Sequence, residues 1–180
     1  MAAILSIPPA GGRRRSGNRG RGTLSDRIRI ESVFMAVVIA LCLVLVVATT
    51  LVHYEVLALM SASLPGMAIA PRLKLVVVVL SAFVAHAGEI ALYAVAMWGS
   101  VHALGVGGFS GSIGASLQAC LYFSAETYTS LGFGDIVPLG PLRLLAGVET
   151  LNGLLLIGWS ASFTYLSMEK FWDDGAAPVQ

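Results

Sequence analysis

Thr129-Ser130-Leu131-Gly132-Phe133-Gly134-Asp135 is the stretch on which the reading of this chain turns. A hydroxyl residue leads in two glycines that alternate with bulky apolar residues, and strongly apolar segments lie on either side. Glycine adopts positive φ without steric cost. A backbone that alternates glycine with other residues can therefore turn successive carbonyls to one side. A ring of such carbonyls replaces the hydration shell of a dehydrated cation. Irregular backbone is tolerated at membrane depth only where protein buries it or where it lines a water-filled path. The alternative reading of the same residues is a glycine-rich loop joining two membrane helices.

Composition bounds the class. The 180 residues are 57% hydrophobic and 12% charged, which is the composition of a membrane protein. Cys42 and Cys120 both lie in apolar stretches, so neither a disulfide framework nor a Cys/His metal cluster is indicated. Net charge is near zero, but its distribution is uneven: seven of the eleven basic residues fall between Arg13 and Arg29.

Taken in order, residues 1–27 read as a disordered basic tail, with Pro8-Pro9, Gly11-Gly12 and an Arg-rich run. Such a tail either meets anionic headgroups or serves topology alone. Residues 28–60 read as a transmembrane helix on the apolar run Val33 to Met60, with His53-Tyr54-Glu55 near the interface. Pro65-Gly66 and Pro71 break the connector, and Arg72 and Lys74 anchor the next span. That span, 73–98, ends in Tyr93 and Trp98, residue types of the interfacial aromatic belt. Residues 99–116 form a Gly/Ser-rich exposed loop, 117–127 a short helix, and 143–168 a third span anchored by Phe171 and Trp172. Residues 169–180 are a short tail, acidic at Asp173-Asp174. Arginine never recurs at every third position, which excludes a voltage-sensor helix.

The stretch Cys120 to Pro138 resembles the pore helix and selectivity filter of bacterial two-transmembrane potassium channels. The family's filter reads T-V-G-Y-G-D, and this chain has S-L-G-F-G-D at Ser130–Asp135. The resemblance covers residues 73–168, with one extra N-terminal transmembrane helix. It implies an all-α membrane protein: three transmembrane helices, a re-entrant pore helix (117–127) and a filter loop (130–134), assembled as a homotetramer in the lipid bilayer. Implied too is a multi-pass location in the cell (inner) membrane. The expected function is a potassium-selective channel, not an enzyme, with K+ held at Ser130, Leu131, Gly132 and Phe133 and with carbonyls supplied through Gly134. No cofactor beyond permeant K+, no nucleic acid and no small-molecule substrate is expected. The alternatives are a weakly selective cation channel and a non-conducting sensor or accessory subunit.

The resemblance also assigns supports. Phe133 replaces the family's tyrosine, and Tyr122 and Phe123 stand where the pore-helix tryptophans stand, so a more apolar cuff is expected around the filter. Thr129, with Thr127, braces the turn. Glu126 and Asp135 match two carboxyls that face each other behind the filter and share a proton; an outer-mouth salt bridge or water contact is the alternative. With a one-residue gap after Pro138, Gly153 falls on the family's hinge glycine. Gly147 and Gly158 compete for that role, and each of the three also permits close helix packing.

Four polar residues remain within the spans. Counted from the outer ends, Glu89 and Glu149 come at similar depth, as do His86 and Asn152. A charge at a helix centre costs about 2.5–3.5 kcal/mol on insertion scales, so such groups pair or face water. His86, Glu89, Glu149 and Asn152 are therefore expected to cluster, as a structural link, a pH sensor or a cation-concentrating surface. His86 and Glu89 alone are too few ligands for a metal site. The filter's outward orientation puts the N-terminus outside, which the Arg-rich tail opposes. A hairpin at His53-Tyr54-Glu55 would remove that conflict, but no helix breaker lies there, and three spans are expected.

Overall fold

The computed structural model describes residues 19–111 and 115–175. By internal contacts the chain divides into residues 1–33 and 34–180. The first unit holds the opening turns of α1 (Arg19–Ser63). Residues 19–27, expected as tail, are thus helical, and 1–18 lie outside the described residues. The second unit holds all that follows: the rest of α1, a short 3-10 turn (Leu64–Gly66), α2 (Pro71–His102), β1 (Gly108–Gly111), α3 (Leu117–Tyr128), β2 (Ile136–Leu139) and α4 (Leu142–Gly175).

Three helices are long and apolar enough to cross a membrane: Leu24–Gly66, Pro71–His102 and Leu142–Lys170. The chain is an all-α membrane protein apart from one short ribbon. α1 runs unbroken through His53-Tyr54-Glu55, so no hairpin forms there. Pro71 opens α2 at its first turn, where a missing N–H costs nothing. Ser116 caps α3 by accepting the Ala119 N–H at 3.1 Å.

Between α2 and α3 the glycine-rich segment is more ordered than its composition suggests. β1 pairs antiparallel with β2, Gly108 opposite Leu139 and Gly111 opposite Ile136. Two glycines permit the pairing. Gly111 has φ +134°, and a Cβ there would lie 2.4 Å from the Asp135 carbonyl; Gly107 has φ +71°, and its Cβ would meet Leu142 and the Leu139 carbonyl. The ribbon ties the loop after α2 to the residues that follow Gly134.

The core gathers Tyr93 and Met97 of α2, Cys120 and Phe123 of α3, and Leu142, Leu145 and Ala146 of α4, with Val38, Cys42 and Leu45 of α1 against them. α4 packs on α3 at Gly153, where a Cβ would lie 2.3 Å from the Tyr128 carbonyl and 2.9 Å from its ring. That glycine has a close-approach role. A Cβ at Gly147 or Gly158 would meet nothing within 4 Å.

The contrast is measurable. Gly153→Ala should lower stability by about 1–3 kcal/mol, because the intruding methyl meets backbone that must move. Gly147→Ala should be neutral or stabilising by up to about 1 kcal/mol from helix propensity. Thermal unfolding of both variants in detergent checks the pair, and equal shifts would contradict the packing role of Gly153.

Candidate ion pathway and its polar supports

α3 ends at Tyr128, and the chain then leaves helical geometry in a defined way. The Thr129 hydroxyl donates to the Ala125 carbonyl at 2.7 Å. The Ser130 N–H donates to the Thr127 carbonyl at 3.1 Å, and the N–H groups of Leu131 and Gly132 both converge on the Glu126 carbonyl, at 2.8 and 3.3 Å. The next N–H, of Phe133, donates to Glu126 Oε2 at 3.1 Å. Glu126 therefore receives three successive N–H groups of Leu131–Phe133 with its backbone and its side chain. Among the described residues no hydrogen bond is donated to the carbonyls of Ser130–Gly134.

Backbone angles complete this arrangement. φ is +60° at Ser130, +56° at Gly132 and +80° at Gly134. Positive φ at every second residue is the condition for successive carbonyls to share a side. Ser130 is the only non-glycine residue with positive φ among those described, a conformation that costs about 1–3 kcal/mol. Leu131 and Phe133 are 59% and 66% exposed.

Asp135 is tied separately from Glu126. Its Oδ2 accepts from the Tyr122 hydroxyl at 3.2 Å, and its Oδ1 from the Ile136 N–H at 3.1 Å. Shielding, and then the Asp135 carboxylate, raise the Tyr122 phenol above its usual range, which keeps it a donor. The two carboxyls thus support the turn through different donors. Tyr122 makes the contact polar where an apolar cuff was expected. Phe123 turns away from it into the core, edge-on to Phe109 of β1 at 5.2 Å between ring centroids. The Thr150 hydroxyl of α4 donates to the Thr127 carbonyl at 3.2 Å.

The four intramembrane polar residues do not form one cluster. His86 Nδ1 lies 3.1 Å from Glu89 Oε2, but Glu149 and Asn152 are elsewhere. The Ser124 hydroxyl lies between the Ile90 carbonyl, 2.8 Å away, and Glu149 Oε1. The other oxygen of Glu149 has no hydrogen-bond partner among the described residues. Asn152 Nδ2 donates to Thr49 Oγ1 at 2.8 Å and to the Tyr93 hydroxyl at 3.2 Å. Matching depth on α2 and α4 does not join these residues, because α1 and α3 supply closer partners.

Glu89 anchors the largest group. His53 Nδ1 from α1 stands 2.9 Å from Glu89 Oε1, and the Tyr128 hydroxyl from α3 donates to Glu89 Oε2. Ser160 of α4 places its hydroxyl 3.1 Å from His86 Nε2 and 3.2 Å from His53 Nε2. His53, Glu89 and Ser160 are all buried. Sequence reasoning placed His53 at the interface. The signal it passed over is the apolar run Val56-Leu57-Ala58-Leu59-Met60 beyond it, which carries the helix on.

The role of Glu126 has a direct check. Glu126→Ala removes the acceptor for the Phe133 N–H and should cost about 1–3 kcal/mol, whereas Tyr122→Phe should cost about 0.5–1.5 kcal/mol. Glu126→Gln retains an acceptor oxygen and should fall well below the alanine variant. Thermal unfolding of the three ranks them, and a glutamine variant as damaged as the alanine variant would mean that charge, not the hydrogen bond, matters.

A family model described as ion channel matches residues 74–169, from the second turn of α2 to the last turns of α4. That range includes the pore helix, the Ser130–Gly134 turn, the ribbon strand β2 and all the α4 contacts described above. No curated protein and no solved structure compared with the chain matches it. With more than half of its length matched around this turn, the chain belongs to the ion channel family.

Proposed function

We propose that the chain is one subunit of a homotetrameric, potassium-selective channel of the cell (inner) membrane, conducting passively through Ser130–Gly134. The observation that carries the reading is the alternation of positive φ at Ser130, Gly132 and Gly134, with the intervening N–H groups held by Glu126 and the carbonyls left without protein donors. Carbonyls so arranged replace the water of a monovalent cation. A ring needs several copies of a turn present once per chain, and closed cyclic symmetry supplies them. The exposure of Leu131 and Phe133 fits side chains that neighbouring subunits cover. The C-terminal end of α3, with its partial negative charge, leads directly into the turn and favours a cation there.

The supports differ from the potassium-channel pattern at Leu131, Phe133 and Tyr122, and this bears on how well sodium is rejected. A single test addresses conduction and selectivity together. Purified protein in liposomes should pass K+ down its gradient, more slowly pass Na+, and be stopped by Ba2+. Equal K+ and Na+ flux would make the pore a weakly selective one. No flux across a range of voltages would turn the reading toward a non-conducting subunit.

Gly134→Ala provides the matching variant. Space at Gly134 is open, but φ is +80°, and a left-handed L-residue costs roughly 1–2 kcal/mol. Four copies in one ring multiply that cost, so flux should fall at least about tenfold, since about 1.4 kcal/mol suffices for that factor. Flux equal to the unaltered protein would remove Gly134 from the pathway.

A further inference from the structure

We propose that His53, His86 and Glu89, with the Tyr128 hydroxyl as fourth donor, form an intramembrane site for a divalent transition-metal ion of the Zn2+ type. His53 Nδ1 lies 2.9 Å from Glu89 Oε1. His86 Nδ1 lies 3.1 Å from Glu89 Oε2 and 2.9 Å from the Tyr128 hydroxyl. One ligand atom from each of His53, His86 and Glu89 falls within 4.8 Å of the others. Zinc bonds of about 2.0–2.1 Å to nitrogen and oxygen require tetrahedral edges of about 3.3 Å. The donor separations, now those of hydrogen bonds to the two Glu89 oxygens, need to open by a few tenths of an ångström or more to reach that length around one ion.

The surroundings suit an ion as well as the ligands do. The donors come from α1, α2 and α3, so the site is carried by packed helices. The Ser160 hydroxyl contacts Nε2 of both rings, which orients them and leaves both Nδ1 atoms on the Glu89 side. Two imidazoles with a carboxylate favour Zn2+ and its neighbours over K+, Mg2+ or Ca2+, which take oxygen ligands. The Glu89 carboxylate supplies one of the two negative charges that offset a dication in a membrane interior. His86 and Tyr128, with Ser160, also line a cavity of about 450 Å³ between α2 and α4, which borders the site on that side. The sequence alone offered only the His86/Glu89 pair, and the ligand that completes the set comes from α1.

Binding does not depend on conduction, so it is tested without an ion gradient. Full-length protein in detergent, stripped of metal by a chelator, is titrated with Zn2+, and Co2+ serves as a spectroscopic probe. One Zn2+ per chain, a rise in Tm with Zn2+, and a tetrahedral Co2+ spectrum are expected. His53→Gln, which keeps a hydrogen-bonding side chain, and Glu89→Gln should each weaken Zn2+ binding by at least about tenfold. His102→Ala removes the chain's remaining histidine, an exposed one, and should leave the affinity unchanged. Absence of binding by the unaltered protein, an octahedral Co2+ spectrum, loss of binding in His102→Ala, or full affinity in His53→Gln would each overturn the proposal. The spectrum of the unaltered protein decides the matter even if a variant fails to fold.

Discussion

Backbone that belongs to neither helix nor strand has to find its hydrogen bonds locally when it lies between membrane helices. Residues 129–135 meet that demand through Glu126. Its carbonyl takes two N–H groups and its carboxylate a third, so these N–H groups are held from the α3 side. The rest of the second unit serves this arrangement. α4 presses a glycine against Tyr128, Thr150 reaches the Thr127 carbonyl, and the β1–β2 ribbon fixes the exit from the turn. Asp135 joins the ribbon to the pore helix through Tyr122.

The local elements were largely legible in the sequence. Length and apolarity mark three membrane helices, and Pro71 and the glycines at 132 and 134 mark boundaries by their own stereochemistry. The ion channel family could be reached from the same residues, because the Gly-x-Gly-Asp stretch between a short helix and two spans has few other uses. What stayed hidden depends on which helix lies beside which. Depth counted from the ends of α2 and α4 paired Glu89 with Glu149 and His86 with Asn152. α1 and α3 supply His53, Thr49, Ser124 and Tyr128 as partners instead, and no periodicity in the sequence reports that. The ribbon was hidden for a related reason: Gly108–Gly111 has too little side chain to announce a strand, and its partner lies beyond the filter.

The extra helix is therefore more than an anchor. His53 and Thr49 of α1 are partners of Glu89 and Asn152, adding one hydrogen-bonding contact to each of two buried polar groups. Loss of a partner from a buried charged pair costs more than the pair itself contributes. A chain cut at residue 73 would leave Glu89 of α2 and Asn152 of α4 each short of one partner. The family match begins at residue 74, yet the polar interior of this chain is complete only with α1.

Gly153 carries a mechanical implication. It is the one place where α4 has no side chain against the last residue of the pore helix, and its neighbours in sequence are Asn152 and Leu154. If α4 rolled about its long axis, one of those side chains would be driven toward the Tyr128 carbonyl, two residues before Ser130. The helix behaves there like a shaft with a single notch: the notch fits one position, and rotation out of it pushes directly on the base of the turn.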